Sequence, residues 1–105
     1  MKVQFNYPII SGKRYTIAMV KIFPIKEIQE GESTTALIGR SICYFGDRFV
    51  KKIGRDVAFG RLEACDMECV FKEGDTTRFF CKHLNLMFLF KNEHLFKVTL
   101  PNFFV

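Results

Sequence analysis

The sequence predicts an α+β domain: a mainly antiparallel β-sheet of five to seven strands, with one main α-helix over about residues 47–65 packed on one face. Three observations carry this reading. Apolar residues alternate, or run together, in segments of strand length bounded by turn residues. Successive segments are joined by short turns, which pairs neighbours antiparallel, and a sheet with one apolar face needs a cover. Only the stretch from Asp47 to Cys65 carries apolar residues at helical spacing. At 105 residues the chain is a single domain, 1–105, large enough for one modest core.

The elements follow in order. In KVQFNYPII the residues Val3, Phe5, Tyr7 and Ile9 alternate with Lys2, Gln4 and Asn6, which predicts a strand whose first set is buried. The turn SGK joins it to RYTIAMVKIF, a second strand that Pro24 ends. Residues 26–35, KEIQEGESTT, have no clear period and read as an acidic loop. ALIGRSICYF is apolar on both faces apart from Arg40, as a central strand is, and Gly39 within it marks a bulge or a close approach. Asp47 is a good N-cap for the helix. Beyond the helix, ECVFK and TRFFCKH flank the turn EGDT, and LNLMFLF and HLFKVTL flank KNE. Residues 77–90 lack a breaker, so one bent strand or two short ones would fit, and Pro101 closes the last strand.

At about 100° per residue, Phe49, Val50, Ile53, Gly54, Val57, Ala58, Gly60, Ala64 and Cys65 share one half of the helix. Two glycines on that face each cost about 1 kcal/mol against alanine, which a close approach to the sheet would offset. Arg48, Lys51, Lys52, Arg55, Asp56 and Glu63 occupy the other half, with Phe59 and Leu62 among them. Three roles fit Phe59: stacking beside phosphate-gripping cations, anchoring in an acidic protein partner, or burial under a loop or second copy. Arg61 projects from the apolar arc, where it must snorkel, pair with a carboxylate or reach a pocket at the sheet edge.

The segment DRFVKKIGRDVAFGRLEA resembles one in small bacteriophage proteins: an aromatic, two basic residues, Gly-Arg, an aliphatic-Ala pair and a second Gly-Arg. Here these are Phe49, Lys51, Lys52, Gly54, Arg55, Val57, Ala58, Gly60 and Arg61. The likeness covers about a fifth of the chain. It implies phage or mobile-element origin and, by analogy, an inhibitor of host defence such as an anti-CRISPR protein or a sponge for signalling nucleotides.

The net charge of +5 favours an acidic partner and argues against a protein that imitates DNA. An apolar share of 49% excludes a disordered chain. No apolar run reaches the length of a membrane span or a signal peptide, so the expectation is a cytoplasmic protein with reduced thiols and no membrane partner. Cys65, Cys69, Cys81 and His83 could supply four zinc ligands, but the spacing departs from the usual pairs, and Cys43 reads as packing. Neither a phosphate-cradling glycine loop nor a Cys–His catalytic motif is recognisable, so no cofactor, metal or enzymatic activity is expected. The expected role is a non-enzymatic inhibitor that binds a host protein or ribonucleoprotein with an acidic surface, through Arg48, Lys51, Lys52, Arg55, Phe59 and Arg61. The alternative is nucleic-acid or nucleotide binding. The carboxyl-terminal edge strand and the tail NFFV, whose phenylalanines need a surface to dock on, suit a homodimer.

Overall fold

The computed structural model describes residues 2–44 and 46–101. These form eight strands: β1 (Gln4–Asn6), β2 (Ile9–Ile10), β3 (Lys13–Lys21), β4 (Ser33–Cys43), β5 (Glu63–Glu73), β6 (Thr76–Cys81), β7 (Leu86–Lys91) and β8 (His94–Thr99). A 3-10 turn, Ile25–Glu27, follows β3, and the helix α1 (Lys51–Gly60) joins β4 to β5. Every ladder is antiparallel, in the order β1-β3-β4-β5-β6-β7-β8, with β2 also on β3. Eight strands replace the five to seven expected because the first segment breaks at Pro8 and residues 77–90 divide in two. The division falls at a turn where Asn85 adopts φ 53° and its N–H bonds to Lys82 O at 3.2 Å. Phe45 and the tail 102–105, for which docking was expected, lie outside the described residues.

The sheet curls nearly into a barrel, and side chains bridge the seam between β1 and β8. Gln4 Oε1 accepts the Leu95 N–H at 2.6 Å, and Gln4 Nε2 donates to Glu93 O at 3.2 Å. Asn6 Nδ2 donates to Phe96 O at 3.2 Å. The amides thus stand in for a missing backbone ladder, and buried polar groups so satisfied carry little penalty. This inverts the expected phase of the first strand. Gln4 and Ile10 are buried, Ile9 is 63% exposed, and Phe5 pairs with Ala18 on the outer face. The amphipathic pattern was real, but its apolar side does not face the core.

Curling lets the sheet cover its own apolar face. The core comes from Ile17 and Met19 of β3, Ala36 and Ile38 of β4, Cys65, Met67 and Cys69 of β5, Phe79 of β6, and Phe88 and Phe90 of β7, closed by Leu95 and Val98. The T-shaped pair Phe79–Phe90, 5.8 Å between centroids, fills its centre. No residue of α1 belongs to this cluster. The helix is therefore not the lid over the core that a flat sheet would need.

The expected loop 26–35 is shorter than its composition suggested, since β4 begins at Ser33. Two charged residues tie it down. Lys72 Nζ donates to three carbonyls of the segment, Ile25 (3.4 Å), Lys26 (3.1 Å) and Ile28 (2.5 Å). Glu93 accepts from Lys21 Nζ at 2.6 Å and from the N–H groups of Ile25 at 2.8 Å and Lys26 at 3.1 Å. Burial alone would raise the Glu93 pKa. The bonds from Lys21, Ile25 and Lys26 outweigh it and hold the carboxyl below its usual value of 4.5. A depressed carboxyl contributes stability above its unfolded pKa and loses it as pH falls through the folded one. Acid titration of the wild type followed by circular dichroism should show a loss of stability below about pH 4.5. In Glu93→Gln that component should be absent, with lower stability at neutral pH.

Candidate functional site

The helix sits on the outer face of β3 and β4, where the side chains are small. Thr16 pairs with Ser41, and Ala18 with Gly39. From the helix, Gly54 and Ala58, one turn apart, are buried against them. A Cβ added to Gly39 would stand 2.0 Å from Ala58 O and 2.9 Å from the Arg61 carbonyl carbon. One added to Gly54 would stand 2.3 Å from Thr16 Oγ1. Ser41 Oγ donates to Gly54 O at 3.1 Å, a buried cross-link between the layers. Gly39 thus marks a close approach and not a bulge.

Three expectations for the helix need correcting. It runs over Lys51–Gly60 and not 47–65. Its N-cap position is Val50, without a side-chain cap, while the Asp47 N–H closes a turn onto Tyr44 O at 3.0 Å. At the other end Arg61 is the C-cap, and Glu63, Ala64 and Cys65 belong to β5, where Cys65 enters the core. The pairing of Ala36 with Cys65 outweighs the helical spacing there. Nor is the apolar arc all contact surface: Ile53 is 62% exposed, and nothing lies near Gly60. The helix comes so close that only Gly54 and Ala58 fit beneath it.

That seating turns one flank of α1 over β1. Arg55 Nε donates to the Tyr7 hydroxyl, and its guanidinium carbon lies 5.4 Å from the Phe5 ring centroid and 5.6 Å from that of Tyr7. Lys51 Nζ lies 4.8 Å from the Tyr7 centroid. Arg14, at the start of β3, donates to Tyr7 O at 2.8 Å and stacks 5.6 Å from Phe49, which meets Tyr7 edge-on at 6.0 Å. Three cations and three aromatic rings therefore interleave. Among the described residues no carboxylate forms an ion pair with Arg14, Lys51 or Arg55. Ring contacts of this kind are each worth about 0.5–1 kcal/mol at exposed sites, enough to fix side chains without neutralising them.

The six residues expected to act together are not together. Lys51 and Arg55 share the β1 flank. Lys52 faces solvent and pairs with Asp56 at 2.9 Å, an i,i+4 contact with side chains 84% and 67% exposed. Such a pair contributes little stability. Arg48 is exposed ahead of the helix, and Phe59 is 47% exposed. Arg61 lies on the opposite flank, donating to Arg40 O at 3.3 Å. Arg14 was missed because it is outside the helix. Its signal was the SGK hairpin, which pairs Ile9 with Arg14 and brings it beside Tyr7.

The thiols of Cys65, Cys69 and Cys81 are buried in the core, whereas His83 is exposed and lies 3.6 Å from Glu63 Oε1. Burial first, then neighbouring Cys81 and Glu63, pushes Cys65 up to about 11, so it is a protonated packing thiol at neutral pH. Among the described residues no group of three or more His, Cys, Asp or Glu is placed to hold a metal ion. No described helix is long and apolar enough to cross a membrane. No family model, curated protein or solved structure matches the chain.

The seating is testable by two alanines. Gly39→Ala forces backbone apart and should cost about 1–3 kcal/mol in denaturant melts. Gly60→Ala meets nothing within 4 Å and should be neutral or stabilising by up to about 1 kcal/mol.

Proposed function

We propose that this chain is a non-enzymatic binding protein that docks on an acidic macromolecule, and blocks it, through the Arg14–Lys51–Arg55 flank of α1. One observation carries the reading: three cations, Lys51 and Arg55 exposed and Arg14 half-buried, are held in place by rings and left without a carboxylate among the described residues. Their charge is available to a partner. Because the rings already restrict their rotamers, less side-chain entropy is lost on binding. Arg55 also keeps guanidinium N–H groups beyond the one given to Tyr7, which suits a carboxylate or phosphate. The likeness of α1 to the basic Gly-Arg segment of phage proteins suggests a host defence protein or ribonucleoprotein as the target.

Nucleic-acid binding is the second reading, favoured by the interleaving of rings and cations. Against base stacking, Phe5 and Tyr7 are already occupied by Arg55 and Lys51. A nucleic acid would then be gripped by its phosphates, with affinity falling steeply as salt rises.

Arg55→Glu should abolish capture of the target from host lysate, while Lys52→Glu, altering a cation already paired with Asp56, should retain it. Circular dichroism should report both variants folded. Retained capture by folded Arg55→Glu contradicts the assignment. A parallel shift assay with single-stranded and duplex oligonucleotides at two salt concentrations separates the readings, since a protein target predicts no shift.

A further inference from the structure

The opposite flank of α1 ends in a cleft of about 310 Å³, lined by Arg40, Arg61, Glu63, His83 and Leu84 over Gly39. Its nitrogen-bearing side chains come from three places in the chain. Arg40, exposed on β4, lies opposite Ile17 on the face that Ile38 turns to the core, Arg61 is the C-cap of α1, and His83 stands in the β6–β7 turn. The close contact at Gly39 presses the end of the helix onto β4, so that Arg61 reaches the Arg40 carbonyl.

The charges are incompletely matched. Among the described residues Arg40 has no hydrogen-bond or ion-pair partner for its guanidinium, and Arg61 has one bond, at 3.3 Å, to a neutral carbonyl. Two arginines line one cleft, and neither is ion-paired among the described residues. Glu63, its sole acidic lining residue, lies 3.6 Å from His83 Nε2. The carbonyls of the last helical turn add partial negative charge, but two are already used, Ala58 O by the Arg61 N–H at 3.1 Å and Phe59 O by the Leu62 N–H at 3.4 Å.

We infer that this cleft binds a small phosphate monoester. Charge and donor count both match that ligand. A phosphate dianion balances the two guanidiniums. Its three terminal oxygens can accept from Arg40, Arg61 and the imidazole together, where a carboxylate with two oxygens is satisfied by one arginine fork. The volume is at the low end for small-molecule sites, which suits a monoester and not a dinucleotide. The site lies across the helix from Arg14, Lys51 and Arg55 and does not depend on their role.

The test is a titration of the full ¹⁵N-labelled chain, followed by amide shifts at constant ionic strength, with inorganic phosphate, adenosine monophosphate and sulfate as probes. Saturable shifts centred on Arg40, Arg61 and His83 are expected with at least one phosphate probe. Tighter binding of the nucleotide identifies an organic monoester as the source, and tighter binding of inorganic phosphate identifies the free ion. Arg40→Ala, whose side chain makes no internal bond, should weaken binding at least tenfold while keeping the spectrum of a folded protein, and Arg61→Ala should do the same. Lys51→Glu should leave it within twofold. Linear, unsaturated shifts with both phosphate probes, equal affinity for sulfate, or unchanged binding by folded Arg40→Ala would overturn the proposal.

Discussion

The close approach of α1 to the outer face of β3 and β4 is the contact on which the arrangement of the surface depends. It is made by absence: Gly39 leaves room for the helix backbone, Gly54 for the Thr16 and Ser41 side chains, and Ala58 adds one methyl. A short helix with two residues buried gains little from apolar area, since burying a few methylenes is worth only a few kcal/mol. What the contact supplies is position. The helix axis is fixed near the sheet, so residues on either side of the buried line must hang over its neighbours.

Those neighbours differ, and so do the two flanks. Over β1 the helix meets Phe5 and Tyr7, and the lysine and arginine there are held by rings. Over the far end of β4 it meets Arg40 and the turn carrying His83, so Arg61 joins a polar cleft. One narrow seam of small residues thus divides a continuous run of basic sequence into two surfaces with different chemistry. The barrel beneath needs no help from the helix to enclose its core. That leaves α1 as a platform mounted on an independently filled interior.

Much of the architecture was legible in the sequence. The antiparallel order, the hairpin turns and the position of the helix between the third strand and the later hairpins all followed from patterning and turn residues. The misreadings have physical causes. Phe5 and Tyr7 looked like core because they alternate with polar residues, but alternation says only that two faces differ. Which face lies inward was decided by Gln4, whose amide substitutes for a strand across the seam with β8, a pairing of residues about ninety positions apart. The helix was drawn too long because Ala64 and Cys65 continue its spacing, while their ladder with β4 is a long-range interaction that periodicity cannot register. The basic residues were named correctly as a set of exposed groups, yet their grouping depends on how near the helix lies to the sheet. Arg14 entered the cluster through a hairpin register, and Arg61 left it through the C-cap.

The claim beneath all of this is that Gly39 lets the end of the helix touch the sheet backbone and Gly54 lets it settle on the Thr16 and Ser41 side chains. Nuclear Overhauser spectroscopy on the isotopically labelled protein measures it directly. The account predicts cross-peaks from the Gly54 α-protons to the Thr16 methyl and from the Gly39 α-protons to the end of the helix, with Arg55 δ-protons shifted upfield by the Tyr7 ring. Absence of those cross-peaks, with unshifted arginine protons and helix amides exchanging as fast as an unfolded segment, would contradict it.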